Sequence, residues 1–275
     1  CNEYDDDDPA LSPDGRRLTF ASDRGGDWEI YLLDGRCIEP GVTEESVTRL
    51  TDAAGVDRHP AWSPDGKYLA FESERTGLTQ IFLMDRDGTN QRQLTFGEVD
   101  SHAPAWSPDG SRIAFHARSE PGGTFDIFSV DLAGNDSRRI TSNPGNDEAP
   151  AWAPKSRIAF VSDRDGDDHI YLVDPTTLEE ARVSGGPDSD YIINPRTREK
   201  ARVNAGPTSD IDPTWCRANS LRDRDPGGND LCFASNRDGQ WDIYVQPVSG
   251  GDAVKQLSQG PSSETSPAYP IRVSR

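Results

Sequence analysis

The stretch that decides the fold is Pro60-Ala-Trp-Ser-Pro-Asp-Gly66, which is closely followed by Leu69-Ala-Phe-Glu-Ser-Glu-Arg75. The first block indicates a short extended segment and a turn, because Pro64 presets φ, Asp65 hydrogen-bonds locally and Gly66 accepts a positive φ. The second block alternates strand-forming and small residues, as strands do. Together the two blocks predict a pair of antiparallel strands joined by a tight turn.

The same first block recurs along the chain, with further copies that begin at Pro9, Pro104, Pro150, Pro213 and Pro267. Each complete unit adds a third block, Ile-Tyr or Ile-Phe, and a fourth block of the Leu-Thr type, which we interpret as a fourth strand. One four-stranded sheet cannot bury both of its faces alone, so neighbouring sheets must stack around an axis. The sequence therefore predicts an all-β protein, a β-propeller of four-stranded antiparallel blades.

The repeats also set the expected domain limits. We expect an acidic N-terminal tether at 1–8 and a single propeller domain at 9–275. Its five complete repeats are 9–51, 57–95, 100–141, 147–187 and 210–258, and a partial sixth follows at 264–275. Residues 171–190 recur as 191–210, which predicts a duplicated hairpin at 191–207. This hairpin widens blade 4, supplies strands to blade 6, protrudes as an interaction arm, or is a tolerated surface duplication.

The four blocks in fixed order resemble the TolB-type, WD-like propeller repeat, with the signature Pro-x-Trp-Ser-Pro-Asp-Gly, Ile/Leu-Ala-Phe-x-Ser-x-Arg, Ile-Tyr/Phe and Leu-Thr. The resemblance covers most of the chain and implies a ring of six blades, so six are favoured over five. It further implies a periplasmic or envelope location and a scaffold that binds protein partners in a larger assembly. Because the same repeat forms accessory propellers of some serine peptidases, a propeller enzyme or an accessory propeller of a hydrolase is the alternative.

Acidic residues dominate the composition, with 48 Asp and Glu against 29 Lys and Arg and a net charge of −19. The basic stripe that a phosphate backbone needs is missing, which argues against nucleic acid as a partner. No apolar run approaches the ~20 residues of a membrane span. The sequence contains no nucleophile elbow, no His-Glu-x-x-His and no Gly-rich phosphate loop, so we predict no catalytic residues and a protein that is not an enzyme.

The cysteines bear on the compartment. Cys1, followed by a polar acidic segment, looks like the lipidated first residue of a mature bacterial lipoprotein, which predicts a lipid-anchored protein on the periplasmic or extracellular face; a chain cut at this point is the alternative. Cys216 and Cys232 fall on the first two strands of one blade and predict a disulfide, with two reduced thiols as the alternative. If Cys1 carries no lipid, Cys1–Cys37 is a second candidate bridge.

A carboxylate usually stands three residues before the repeat proline, and the residues concerned are Asp6, Asp57, Asp147, Asp210 and Glu264. First strands line the axis of a propeller, so these carboxylates would form a ring at the channel mouth that binds a cation or a basic ligand. Alternatively, each pairs with the arginine of the second block and ties blades together. We favour the pairing because the two residue types repeat in step. The arginines are Arg24, Arg75, Arg164 and Arg237.

Other candidate sites are weaker. Three aromatic residues occupy equivalent turns between second and third strands: Trp28, Phe125 and Trp241. They predict either a rim patch for a partner or packing over the adjacent strand. His59 and His102 lie in first strands, where we expect them to line the channel rather than bind metal. The Asp- and Gly-rich turns at 85–90 and 163–168 lack the distal Glu of a calcium loop, so we predict no metal site and no cofactor, and calcium is the weaker alternative.

Overall fold

The computed structural model describes residues 4–34, 47–153 and 156–183 in full, and farther along the chain it describes the backbone of short strands. In chain order the strands are β1 Asp6–Leu11, β2 Arg17–Ser22, β3 Glu29–Asp34, β4 Val47–Arg49, β5 Asp57–Trp62, β6 Tyr68–Ser73, β7 Gln80–Asp85, β8 Arg92–Gln93, β9 Ser101–Trp106, β10 Arg112–Arg118, β11 Phe125–Asp131, β12 Ser137–Arg139, β13 Asp147–Trp152, β14 Ile158–Ser162, β15 His169–Val173, β16 Glu180–Arg182, β17 Ile192–Ile193, β18 Lys200–Ala201, β19 Asp210–Cys216, β20 Asp230–Ser235, β21 Asp242–Pro247 and β22 Lys255–Gln256. The described residues contain no helix long and apolar enough to cross a membrane.

The strands form antiparallel sheets whose members follow one another along the chain. The four-stranded sheets are β1-β2-β3-β4, β5-β6-β7-β8, β9-β10-β11-β12, β13-β14-β15-β16 and β19-β20-β21-β22. This confirms the four-stranded antiparallel blades predicted from the repeat. We call these sheets blades 1 to 5 in chain order; the number of blades in the complete ring stays a prediction.

The chain divides into two compact units. The first comprises Cys1–Gly123 and Phe128–Arg138, and it contains blades 1 and 2 and most of blade 3. The second comprises Thr124–Ile127 and Arg139–Arg275, and it contains blades 4 and 5.

The Ser-Pro-Asp-Gly turns have the local hydrogen bonds expected of them. In blade 1 the Ser12 hydroxyl donates to Asp14 at 2.6 Å and also accepts the backbone N–H of Arg17 at 2.9 Å. Gly15 takes φ +68°, which residues with a Cβ rarely adopt. The serine hydroxyl bonds the turn aspartate in the next two blades as well, at 2.8 Å in the turn of Ser63 and 2.7 Å in that of Ser107.

The Leu-Thr block does not form the fourth strand, and this corrects the sequence-based interpretation. Strands β4 and β8 end immediately before Leu50 and Leu94. The leucine is buried and its N–H still donates to the third strand, at 2.8 Å from Leu50 to the carbonyl of Ile30. The following threonine is also buried, and its hydroxyl accepts an N–H of the third strand, from Ile30 in blade 1 and from Ile81 in blade 2.

Alternate residues of one strand pack against two different neighbouring blades. Leu69 and Phe71 of β6 belong to the apolar cluster between blades 1 and 2, whereas Ala70 between them belongs to the cluster between blades 2 and 3. Because side chains of a strand point alternately to the two faces of its sheet, blade 2 is covered on both faces. The first-block tryptophans join the same blades, since the indole N–H of Trp62 donates to the carbonyl of Ala10 at 3.2 Å.

Every first strand of blades 1 to 4 carries a β-bulge just before its proline. The pairing with the second strand shifts register there, for example between Arg58 and Ala61 of β5. The residue before the proline is left-handed, with φ 51° at Asp8, 50° at His59, 51° at Ala103 and 49° at Ala149. A bulge re-aims the side chain that it carries. The Pro-Ala-Trp sequence predicts a simple extended segment, and the bulge is a departure from that prediction.

Two segments bear on the expected domain limits. Strand β1 begins at Asp6, and the Asp5 N–H already donates to Asp23 at 2.9 Å, so the end of the expected tether 1–8 belongs to blade 1. In the duplicated segment, β17 and β18 pair as a separate two-stranded sheet with Ile192 opposite Ala201.

Candidate functional site

The predicted aspartate–arginine pairs form in each blade where both side chains are described. Arg24 lies 2.7 Å from Asp6, and Arg75 lies 2.8 Å from Asp57. In blade 4, Arg164 lies 3.0 Å from Asp147. Asp57 and Asp147 are fully buried, so the paired arginine balances a carboxylate that water does not reach.

Each pair lies within one blade, which corrects the expectation that the pairs tie blades together. Asp57 stands on β5 directly opposite Ser73 of β6, and Arg75 follows that serine. The Arg75 Nε–H donates to the Ser73 hydroxyl at 2.7 Å, and its guanidinium lies over Phe82 at 4.8 Å from the ring centroid. The pair therefore pins the first strand of a blade to its second and third strands.

Blade 3 lacks both the aspartate and the arginine of this pair. Ser101 stands at its aspartate position, and Ser119 stands where the other blades have the arginine. The loss of both members leaves no buried charge without a counterion. Asp210 begins β19, but its side chain, Arg237 and Glu264 lie outside the described residues, so their pairing stays a prediction.

The expected rim aromatics do not share one environment. Trp28 is half-buried, packs against the core between blades 1 and 2, and carries the guanidinium of Arg58 at 3.7 Å from its ring. Phe125 is also half-buried, and its N–H donates to the Asn146 side chain at 3.2 Å. Trp28 thus packs over the adjacent blade. Trp241 lies outside the described residues.

The predicted cysteine chemistry stays a prediction. Cys1 and Cys37 lie outside the described residues. In blade 5 the backbone register sets Cys216 opposite Asp230 and Cys232 opposite Thr214, so the two cysteines stand on adjacent strands without facing each other directly.

A connected group of ionisable side chains, an acid–histidine chain, lies on the first strand of blade 1 and on the first and second strands of blades 2 and 3. We define the acid–histidine chain as Asp8, His59, Glu72, His102 and His116. His59 Nε2 lies 3.3 Å from Asp8, and His59 Nδ1 lies 3.0 Å from Glu72. The other oxygen of Glu72 lies 3.1 Å from His102 Nδ1. The rings of His102 and His116 follow, with their centroids 5.3 Å apart.

Glu72 holds this chain together. Its side chain is only 9% exposed, and one oxygen also accepts the N–H of Ala103 at 2.6 Å. Burial would raise the pKa of Glu72, but hydrogen bonds from His102 and His59 hold that pKa well below its usual range. Glu72 is therefore an ionised carboxylate that links blade 2 to the bulge of blade 3.

The pKa values of His59 and His116 are shifted in opposite directions. Burial alone would lower the pKa of His59, but the hydrogen bond and charge of Glu72, with the charge of Asp8, raise it to about 9. Burial lowers the pKa of His116 to about 3, and the neighbouring His102 acts in the same direction. Burial also raises the pKa of Asp8, against the opposing charge of His59. His59 is thus an imidazolium and His116 a neutral imidazole at neutral pH.

The sequence predicts channel-lining positions for His59 and His102 but gives no signal of a shared site with Asp8, Glu72 and His116. The sequence does show an irregularity at the x position of Ile/Leu-Ala-Phe-x-Ser. Blades 1 and 4 have Ala21 and Val161 there, whereas blades 2 and 3 have Glu72 and His116. Two ionisable residues at an otherwise apolar repeat position indicate a local polar contact. Within the described residues, no group of three or more His, Cys, Asp or Glu side chains is placed to hold a metal ion.

Four-stranded antiparallel blades that cover each other's faces define the chain as a β-propeller. The family model of the TolB beta propeller domain matches residues 3–102 and 98–189, which is more than half of the chain. The chain belongs to this family.

Two bacterial proteins match part of this chain. An uncharacterised protein of Agrobacterium fabrum is 38% identical over 84 residues, which span 30% of this chain and 26% of that protein. The Tol-Pal system protein TolB of Francisella tularensis subsp. mediasiatica is 29% identical over 89 residues, or 32% of this chain and 19% of the relative. The match thus spans about a quarter or less of each relative's length.

Solved structures agree with the fold. A TolB-type protein of Agrobacterium tumefaciens superimposes with a TM-score of 0.67 at 21% identity, over 93% of this chain and 81% of that one. A puromycin-hydrolysing peptidase of Mycobacterium tuberculosis superimposes with a TM-score of 0.60 at 18% identity, over 92% of this chain and 38% of that one. Likeness at this level of identity defines the fold alone.

Proposed function

We propose that this chain is a non-catalytic scaffold of the bacterial cell envelope that binds protein partners within a larger assembly. The observation that carries the proposal is the match of the TolB beta propeller domain to residues 3–189. A relative with the same repeat is named as a protein of the Tol-Pal system. Because the match covers only part of that relative, the partner itself is part of the proposal.

The arrangement of charges supports a scaffold. In the described blades the repeated arginines and aspartates neutralise each other inside one blade, as Arg75 and Asp57 do. The acid–histidine chain likewise directs its carboxylates at its own histidines and backbone N–H groups. These side chains rigidify the blades, and surface loops are then the elements that select a partner.

The remaining parts of the proposal concern anchoring and extent. We infer that a lipid on Cys1 holds the protein at the membrane, with the propeller, a single domain at 9–275, on the periplasmic or extracellular face. We also keep a six-bladed ring and a Cys216–Cys232 disulfide, which fits an oxidising compartment, as predictions.

The test is affinity purification of the full chain from native membranes after mild cross-linking, followed by mass spectrometry. We expect one or a few envelope proteins at near-stoichiometric amounts and a lipid mass on the peptide that contains Cys1. A Cys1→Ser variant should leave the membrane fraction but keep the partner. Recovery of the unmodified chain with no enriched envelope protein would contradict the proposal.

An accessory propeller of a hydrolase is the second candidate. The likeness to the puromycin-hydrolysing peptidase favours it, because this chain superimposes on a part, 38%, of that enzyme. The coding sequence that flanks this segment separates the two functions. An α/β-hydrolase domain in the same reading frame supports the accessory propeller, and a lipobox signal peptide directly before Cys1 supports the envelope scaffold.

A further inference from the structure

We propose that His59 is a proton-operated fastener between blades 1 and 2: while both ring nitrogens carry hydrogen it joins Asp8 to Glu72, and loss of one proton releases Asp8. This inference concerns the stability of the ring and does not depend on the proposed function.

The contacts of the ring itself carry the argument. His59 Nε2 lies 3.3 Å from an oxygen of Asp8, and Nδ1 lies 3.0 Å from an oxygen of Glu72. Ionised carboxylates only accept hydrogen bonds, and a neutral imidazole has a single N–H. Both contacts can therefore be hydrogen bonds only when His59 is an imidazolium.

Backbone geometry brings the three side chains together. Asp8 and His59 occupy the left-handed bulge positions of their strands, with φ 51° and 50°. The equivalent residues of blades 3 and 4 are Ala103 and Ala149, which have no group to titrate. The His59 N–H also donates to the second oxygen of Asp8 at 3.3 Å, so the carboxylate binds both the ring and the backbone of His59.

The charged groups around His59 come from three strands. Asp7 and Asp8 lie on β1, Arg58 precedes His59 on β5, and Glu72 lies on β6. Burial and the charge of Arg58 act against the proton on His59, whereas Glu72 and Asp8 favour it and raise the pKa to about 9. The pKa of Asp8 is raised mainly by burial, and the charge of Asp7 raises it further.

The remaining members of the chain lie on the far side of Glu72. His102 on β9 donates its Nδ1–H to the ionised Glu72, which can only accept, and His116 on β10 lies beside His102. Burial alone would raise the pKa of Glu72. Its hydrogen bonds with His102 and His59 outweigh burial and hold this pKa well below its usual range. Glu72 thus stays ionised in weak acid, and the fastener opens on the alkaline side.

Unequal contacts decide which bond is lost. The contact with Glu72 is shorter, 3.0 Å against 3.3 Å, and the Glu72 side chain is less exposed, 9% against 17% for Asp8. A neutral His59 therefore keeps its single N–H on Glu72. Asp8 then accepts only the backbone N–H of His59, so the first strand of blade 1 loses one side-chain bond to blade 2, while the Trp62 indole bond to Ala10 remains.

The first experiment follows the histidine ring nitrogens of the isotope-labelled full chain by NMR between pH 6 and pH 10.5. We expect both nitrogens of His59 to be protonated at pH 7.5, with a midpoint about two pH units or more above the ordinary value near 6.5. Asp8→Asn should lower the midpoint by about one unit. Asp27→Asn, which removes the same charge from an exposed turn of blade 1, should leave it unchanged. A midpoint near 6.5 in the unmodified protein would overturn the proposal.

The second experiment tests release. A double-mutant cycle of Asp8→Asn and His59→Gln should give a coupling of about three- to tenfold in the unfolding constant at pH 7.5. The coupling should fall below about twofold at pH 10, because the unmodified His59 has by then lost the bond to Asp8. Equal coupling at the two pH values would refute release. If either variant does not fold, the NMR midpoint of the unmodified chain still decides.

Discussion

In blades 1 and 2 the third strand begins with a buried polar side chain that bonds the threonine of the Leu-Thr block. In blade 1 the Thr51 hydroxyl donates to Glu29 at 2.6 Å. In blade 2 the Thr95 hydroxyl donates to Gln80 at 2.8 Å. Blade 3 has Asp126 at this position, and aspartate is one methylene shorter.

The shorter side chain leaves an acceptor unused. Oδ2 of Asp126 lies 2.7 Å from Arg139, but buried Oδ1 has no hydrogen-bond partner among the described residues. The backbone around it matches the other blades, since the Ile127 N–H donates to the Thr141 hydroxyl at 2.9 Å. We predict that Asp126→Glu brings the carboxylate to Thr141 and stabilises the protein.

The size of the effect follows from two opposing terms. A hydrogen bond to a charged group contributes about 1.5–3 kcal/mol, and an extra methylene in a packed interior costs about 1–3 kcal/mol. Blades 1 and 2 accommodate the longer side chain in the same frame, so the packing cost should be at the low end. We expect a gain of about 1 kcal/mol and a rise in Tm of about 2–4 °C.

Urea denaturation and calorimetry measure both quantities. The reciprocal variant Glu29→Asp keeps the charge, loses the Thr51 contact, and should lower the free energy of unfolding by about 1.5 kcal/mol. Opposite signs for Asp126→Glu and Glu29→Asp are the expected outcome. If both variants are destabilised equally, the length of this side chain does not control the contact, and our reasoning is wrong.

Three further predictions use other features. Ala103→Gly should stabilise the protein by about 0.5–1 kcal/mol in urea denaturation, because Ala103 has φ 51°, whereas Ala105→Gly in the same strand should destabilise it. Trp28→Ala should cost about 2 kcal/mol by calorimetry through lost packing and stacking, but Phe96→Ser, at a residue 70% exposed, should change stability by less than about 0.5 kcal/mol. The pKa of His116 is lowered to about 3 in the folded protein, so between about pH 6.5 and pH 3 only the unfolded chain protonates this histidine, and stability should fall as the pH falls. The drop in Tm from pH 7 to pH 4.5 should therefore be smaller in His116→Gln than in the unmodified protein.

The repeat could be predicted because its information is local. A Ser-Pro-Asp-Gly turn specifies its own hydrogen bonds within a few residues, and the alternation of Leu69, Ala70 and Phe71 shows that both faces of the strand are buried. The pairing of Asp57 with Arg75 was also accessible, because the two residues recur in step. Its placement inside one blade was not, since that depends on the register of two strands.

The acid–histidine chain was beyond the sequence for a different reason. Its contacts join residues far apart in sequence, such as Asp8 with His59, and each residue occurs in one blade only. The left-handed bulge that aims His59 is set by a register shift, which a run of strand-forming residues does not reveal. Comparison of repeats at the Glu72 position shows the irregularity but not its partners.

The tryptophan bonds between blades run in one direction. Trp62 donates to Ala10 in the preceding blade, and Trp106 donates to Ala61 at 2.9 Å in the same sense. Blades 2 and 3 therefore find the carbonyls that accept their indole N–H groups on a neighbour synthesised earlier, whereas the buried Trp152 indole of blade 4 has no hydrogen-bond partner among the described residues. During translation, blades 2 and 3 can each dock as soon as the first strand leaves the ribosome, because the carbonyl that accepts the indole N–H is already in place.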